Sequence, residues 1–307
     1  MAGQLAADYQ AALAELERAG RTSADPLKLP LSEARAKQHA YFAYLNKDLP
    51  DVDATRDLAL TGPHGALKAR IQYPTPARGQ PYTVFLRGAG WWAGNLDSHE
   101  RGARQFAKLT GFPVCSIDYR CAPEAHFPMQ LEEVIFAIEH LASRAAELGL
   151  GSEFILQGES AGANLSALAT AELLKRGKAT PKGLVLFYGN FAGPTESSRA
   201  YSRWVWSQYL GTDALPANPK AIPLNANFKG FPPTWLGVGE QDPLVTDTVQ
   251  LAEKLSAAGV PCTVRQYPGL PHAYVMLSGM SATARDAVVD AARCAAEMLG
   301  AAPSSIA

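Results

Sequence analysis

Residues 153–165 read EFILQGESAGANL and set Ser160 inside Gly158-Glu159-Ser160-Ala161-Gly162. The apolar run before it reads as a strand, and the Ala/Leu-rich run after it as a helix. A strand–turn–helix of this kind presents a serine hydroxyl from a tight, strained turn that flanking glycines make possible. The N-terminus of the following helix favours negative charge developing nearby. The chemistry such a serine performs is nucleophilic attack on an acyl carbon. A serine that merely caps a helix is the plainer reading, and the strand before and helix after argue against it.

A serine hydroxyl needs a base, and the base needs an acid to orient it. With this turn, the chain order is serine, acid, histidine. His39, His64, His99, His126 and His140 all precede Ser160, which leaves His272 in YPGLPHAY as the base. Three carboxylates compete for the acid: Glu240, Asp242 and Asp247. Asp242 is favoured, because a short side chain in the turn just past TWLGVG points towards the histidine loop. Asp247 falls in the next helix.

The tetrahedral intermediate of acyl transfer carries an oxyanion, and each fixed donor to it is worth about a hundred- to a thousandfold in rate. The N–H of Ala161, next to the nucleophile, supplies one. The others must come from a small-residue loop after an earlier strand, and Gly88-Ala89-Gly90 in FLRGAGWWAGN fits. Arg87 at the end of Val84-Phe85-Leu86 is a charge on an apolar strand and must be paired. Its fork either ties carbonyls or a carboxylate behind the loop, or faces the pocket and meets a substrate carboxylate. Alternation along the strand favours the first.

These residues must be positioned by surrounding elements. Helical spacing runs through 3–19 and 32–46, and a hairpin is expected from 55–60 and 66–73 across TGPHG. Short apolar runs at 82–86, 112–118, 153–157, 183–188, 233–238 and 261–267 read as strands. Helices are expected at 99–110, 128–148, 161–176, 246–258 and 281–299. In 128–148, Leu131, Val134, Ile135, Ile138, Leu141 and Leu148 share one face. Asp97 and Ser98 are expected to cap the helix after them. Such β-α-β alternation indicates one α/β domain over residues 1–307 with a mostly parallel sheet and helices on both faces. Segment 193–226 is too long and too aromatic for a simple connection and reads as an insertion. Trp204, Trp206 and Tyr209 lie at i, i+2 and i+5 and cannot all share one helix face.

The 307 residues are 47% hydrophobic and 19% charged, enough apolar material for a large core. A net charge of −1 and a pI near 6.6 exclude a nucleic-acid footprint or an anionic-membrane surface. The N-terminus lacks the charged and apolar regions of a signal peptide, and no run is long enough to span a bilayer. Cys115, Cys121, Cys262 and Cys294 show no metal-binding spacing and read as buried free thiols in a reducing compartment, so the expected location is the cytoplasm. No metal and no cofactor are expected.

RGAGWWAGNLDSHER, DYRCAPEAHFP, GESAGANL, GEQDPL and LPHAY, in this order, resemble the hormone-sensitive-lipase family of α/β-hydrolase carboxylesterases over about residues 50–300. The resemblance implies an α/β-hydrolase fold with a helical cap built from 1–48 and 193–226. It implies catalysis by Ser160, Asp242 and His272, and oxyanion donors at Ala89, Gly90 and Ala161. The family's His-Gly-Gly-Gly is replaced by Arg87-Gly88-Ala89-Gly90. A backbone donor survives an alanine there if φ is negative. Arg87, Trp91, Trp92, Trp204 and Tyr209 are candidates for the substrate pocket. Asp118, Tyr119, Arg120 and Glu124 are expected to hold a loop, and Glu159 to form a local hydrogen bond. The expected activity is hydrolysis of short-chain acyl esters through an acyl-enzyme. An arylformamidase or other amidase is the rival enzyme reading, and a non-catalytic ligand-binding relative the rival of another class. The expected partner is a small-molecule ester, with a homodimer left open.

Overall fold

The computed structural model describes residues 3–301. Helices α1 (Ala7–Arg18) and α2 (Leu31–Leu45) precede a hairpin of β1 (Ala54–Gly62) and β2 (Gly65–Tyr73). Alternation follows: β3 (Gln80–Leu86), α3 (Glu100–Thr110), β4 (Val114–Ile117), α4 (Met129–Ser143), β5 (Leu150–Glu159), α5 (Ala161–Arg176) and β6 (Leu184–Phe187). After β6 come α6 (Ala200–Leu210), β7 (Thr234–Gly239), α7 (Val245–Ala257), β8 (Cys262–Tyr267) and α8 (Ala282–Met298). The eight strands form one sheet in the order β1-β2-β4-β3-β5-β6-β7-β8. Strand β2 runs antiparallel to β1 and β4, and the pairs from β4-β3 through to β7-β8 are parallel.

The central strands are continuous apolar runs because both their faces are covered. Helices α4, α5 and α7 supply Ile138, Leu165 and Leu251 to one core. Helices α3 and α8 cover the other face with Phe106 and an alanine-rich stripe, Ala284, Ala287, Ala291 and Ala295. Small side chains let α8 lie close to the sheet. Edge strand β8 is mostly exposed and carries Arg265 and Gln266, which discourages pairing with another chain.

Two local expectations are corrected. Helix α4 ends at Ser143, and Leu148 is buried from a separate 3-10 turn, Ala146–Leu148. Its apolar spacing reported burial, not continued helix. Asp97 and Ser98 leave α3 without a side-chain cap. Ser98 closes a turn with Asn95, and Asp97 pairs with Arg70 at 2.7 Å. Helix α1 buries Tyr9, Ala12 and Leu16 in the α3/α8 core. Asp8 there accepts from Ser281 and Thr283 at the start of α8, and these bonds hold its carboxyl down at about 2 against the opposing effect of burial.

No helix among the described residues is long and apolar enough to cross a membrane. All four cysteines are free, but the expectation that all are buried is corrected: Cys115 is buried, whereas Cys121, Cys262 and Cys294 are partly exposed.

Candidate active site

Strand β5 delivers Ser160 into a turn with φ 51° and ψ −112°, a strained conformation for a residue with a side chain. The Ser160 N–H donates to Phe187 O at 2.9 Å, which ties the turn to β6. Glycine is required on both sides by close approach. A Cβ at Gly162 would lie 2.0 Å from Leu86 O, and one at Gly158 would lie 2.5 Å from Gly162 O.

His272 Nε2 lies 2.9 Å from Ser160 Oγ, and its Nδ1 lies 2.9 Å from Asp242 Oδ2. Asp242 is an acceptor, so Nδ1 carries the proton and Nε2 is left to accept from the serine hydroxyl. The other Asp242 oxygen accepts from Leu244 N–H at 2.8 Å, which fixes the carboxylate plane. The Tyr188 ring packs edge-on against His272 at 4.9 Å. The rival acids are occupied elsewhere. Glu240 accepts from Gly269 N–H, and Asp247 from the N–H groups of Phe191 and Ala192, both at 2.8 Å.

The loop after β3 crosses over the serine turn, and a Cβ at Gly88 would lie 3.1 Å from Glu159 O. Ala89, Gly90 and Trp91 all take positive φ, at 73°, 58° and 61°. The expectation of a negative φ at Ala89 is therefore corrected. Three successive left-handed residues turn the chain back on itself, and Trp92 N–H closes the turn onto Ala89 O at 3.3 Å. Among the described residues, no protein acceptor is within hydrogen-bond range of the Ala89, Gly90 or Ala161 N–H.

Arg87 is buried behind this loop, only 3% exposed. Its Nη2 donates to Tyr119 O at 2.7 Å and approaches Cys121 Sγ, with Asp118 at 3.9 Å. None of these partners belongs to α6 or to the Ser160 group. Glu124 pairs with Arg35 and Arg120 with Glu133, so the 118–124 segment is held as its composition suggested.

The aromatic candidates separate into two groups. Trp91 is fully buried, stacked on Tyr209 at 4.1 Å and tilted against Trp206 at 5.0 Å, so Trp91 and Tyr209 join the loop to α6 by packing. Trp92 meets Trp204 edge-on at 5.6 Å, and its indole N–H donates to Tyr201 Oη at 3.3 Å. Val205, between the two groups, approaches Gly90 closely enough that a Cβ there would meet its Cγ1 at 3.0 Å. Ser160 itself is only 5% exposed beneath this assembly.

Two contributors escape a reading of the sequence. Arg35 on α2 donates to Trp92 O at 2.8 Å and to Ala122 O at 2.6 Å, so an N-terminal helix steadies the loop from outside. Asn190, after β6, directs Nδ2 at Ser160 Oγ across 3.4 Å. Neither belongs to a motif, and both contacts span long stretches of chain.

Glu159, beside the nucleophile, is buried with, among the described residues, only the Tyr188 hydroxyl as partner at 3.3 Å. Burial pushes its carboxyl up to about 8, and the Tyr188 bond offsets only part of this. His99, beneath the same loop, is held down at about 3 by burial and by the Arg87 charge. No group of three or more His, Cys, Asp and Glu among the described residues is arranged to hold a metal ion.

A family model described as the alpha/beta hydrolase fold matches residues 83–276. The chain is 33% identical over 268 residues to acetyl esterases of Salmonella typhi and Salmonella enteritidis, across 81% of this chain and 82% of theirs. Its fold is similar to a hyperthermophilic esterase from the archaeon Pyrobaculum calidifontis, with a TM-score of 0.86 and 26% identity over 96% of this chain and 99% of that one. An ester hydrolase from the Lake Arreo metagenome, in complex with a bipyridine phosphonate derivative, gives 0.88 and 26% over 97% of this chain and 100% of that one. A bacterial heroin esterase gives 0.87 and 25% over 96% and 98%.

Proposed function

This chain belongs to the α/β-hydrolase family, in its hormone-sensitive-lipase branch, and is a carboxylic ester hydrolase; on that premise we propose that Ser160, His272 and Asp242 do its chemistry. The observation that carries the assignment is the continuous chain of hydrogen bonds from Asp242 through His272 to Ser160, each 2.9 Å long.

In this reading Ser160 Oγ attacks the ester carbon while His272 Nε2 takes its proton. The N–H groups of Ala89, Gly90 and Ala161 receive the oxyanion. The intermediate collapses as His272 returns the proton to the departing alcohol, leaving the acyl group on Oγ. Water then attacks that ester with His272 as base, and the acid is released. Asp242 keeps His272 in the tautomer that both half-reactions need.

The proposed substrates carry short acyl groups. Val205 and Trp92 crowd Gly90, and the similar Salmonella proteins are acetyl esterases. The proposed cap consists of 193–226 together with elements of 1–48, where Arg35 on α2 donates to Trp92 O at 2.8 Å. The four free thiols support a reducing compartment, the cytoplasm.

The test is a panel of p-nitrophenyl esters run on wild type and on Ser160→Ala. Wild type should prefer esters in the range from acetyl through butyryl over longer acyl chains, and the variant should lose about a thousandfold or more in kcat. Rates that climb steadily towards dodecanoyl esters would remove the short-acyl reading. Undiminished turnover by the variant would remove the mechanism.

A further inference from the structure

We propose that Asn190 is a further catalytic residue: its side-chain N–H is a donor to Ser160 Oγ and acts chiefly when that oxygen leaves the acyl-enzyme. The inference rests on Ser160 being the nucleophile.

Asn190 Nδ2 lies 3.4 Å from Ser160 Oγ, and both residues are buried. Ser160 Oγ spends its proton on His272 Nε2, so towards Asn190 it can only accept. That dictates which end of the amide faces it. The contact is long for a resting hydrogen bond, as contacts to reacting groups often are before substrate binds, when they have yet to tighten.

The geometry is not accidental crowding, because the backbone around Asn190 is held from several directions. Asn190 O accepts from Asn164 Nδ2 at 2.8 Å, and Asn164 is fully buried on α5. Asp247 Oδ2 accepts the N–H groups of the next two residues, Phe191 and Ala192, at 2.8 Å each. Phe191 O accepts from Leu224 N–H, and Tyr188 N–H donates to Gly237 O at 2.7 Å. A Cβ at Gly189 would lie 2.1 Å from the Phe191 ring, so the segment has no slack on that side. The clamp fixes the backbone from which the Asn190 side chain reaches Ser160 Oγ.

The step that benefits follows from where charge appears on Oγ. In acylation, Oγ already accepts from Asn190 before reaction and gives that bond up as it becomes an ester oxygen, so the donor does not lower this barrier. In the acyl-enzyme, Oγ is an ester oxygen whose lone pair is withdrawn into the carbonyl, and it accepts poorly. Water adds to the acyl carbon, passing its proton to His272 Nε2, and Oγ regains basicity in the tetrahedral intermediate. The carbon–Oγ bond then breaks, its electron pair stays on Oγ, and His272 returns the proton there while the carboxylic acid departs. The Asn190 N–H strengthens along this path, which is the condition for lowering a barrier.

Stopped-flow measurement of p-nitrophenyl acetate hydrolysis resolves acylation from deacylation in wild type, Asn190→Leu and Asn190→Asp. Deacylation should fall about tenfold in both variants, with acylation changed by no more than about threefold and a clearer burst of nitrophenolate. The aspartate variant keeps the shape of the side chain, so it reports even if the leucine variant folds poorly. Deacylation at the wild-type rate, or equal losses in both steps, would overturn the proposal. Turnover surviving Ser160→Ala would instead remove the reading beneath it.

Discussion

The guanidinium of Arg87 lies 3.9 Å above the centre of the Tyr119 ring, and each residue also holds the other's carbonyl. Arg87 Nη2 donates to Tyr119 O at 2.7 Å, and Tyr119 Oη donates to Arg87 O at 2.8 Å. The pair is a clasp between the end of β3 and the segment after β4. Cation–π attraction is strongest when the charge is desolvated, as Arg87 is here.

That clasp predicts a structural effect of Arg87→Met. Loss of the donor leaves Tyr119 O unsatisfied in the core, at a cost of about 1–3 kcal/mol in stability. Turnover of neutral and carboxylate-bearing acetate esters should fall in step. Selective loss of the carboxylate-bearing ester would make Arg87 a specificity residue, against its buried position.

The two neighbouring aspartates should separate cleanly. Asp242→Asn is expected to reduce kcat by about ten-thousandfold, because the amide stabilises the wrong histidine tautomer. Asp247→Ala removes the acceptor of Phe191 and Ala192, so its main effect should be on thermal stability, with turnover reduced by no more than about tenfold. Equal kinetic losses in the two variants would reassign the acid.

Glu159 should make stability depend on pH. Its folded value of about 8 lies above the ordinary 4.5, so the native state keeps a proton that the unfolded chain releases between those values. The contribution is fully present below about pH 4.5 and is lost as pH rises through about 8. Glu159→Gln should therefore gain on wild type as pH rises, by roughly a few kcal/mol at the alkaline end. Urea unfolding of both proteins at roughly pH 5 and 9 measures this. A constant difference between them would show that Glu159 is not the group responsible.

Much of the site was legible in local sequence. Gly158 and Gly162 announce a turn that no side chain could enter, and the chain order serine, acid, histidine left one histidine. Strand and helix positions followed from apolar period and from Gly at the turns. Burial misled where it imitated helical period, as at Leu148.

The sequence by itself determined the strand–turn–helix around Ser160 and the sheet's parallel centre, because each rests on short-range sterics or on alternation along one element, and chain order made His272 the candidate base. Tertiary structure alone decided the rest. It set Ala89 in a left-handed conformation, because the loop must turn over the Ser160 turn in three residues. It turned Arg87 inward to Tyr119, whereas strand alternation gave only a preference. It brought Arg35 to Trp92 across 57 positions and Asn190 to Ser160 across 30. Such contacts depend on how the sheet orders its strands and how the cap helix lies on it, and no local pattern of residue types encodes that geometry.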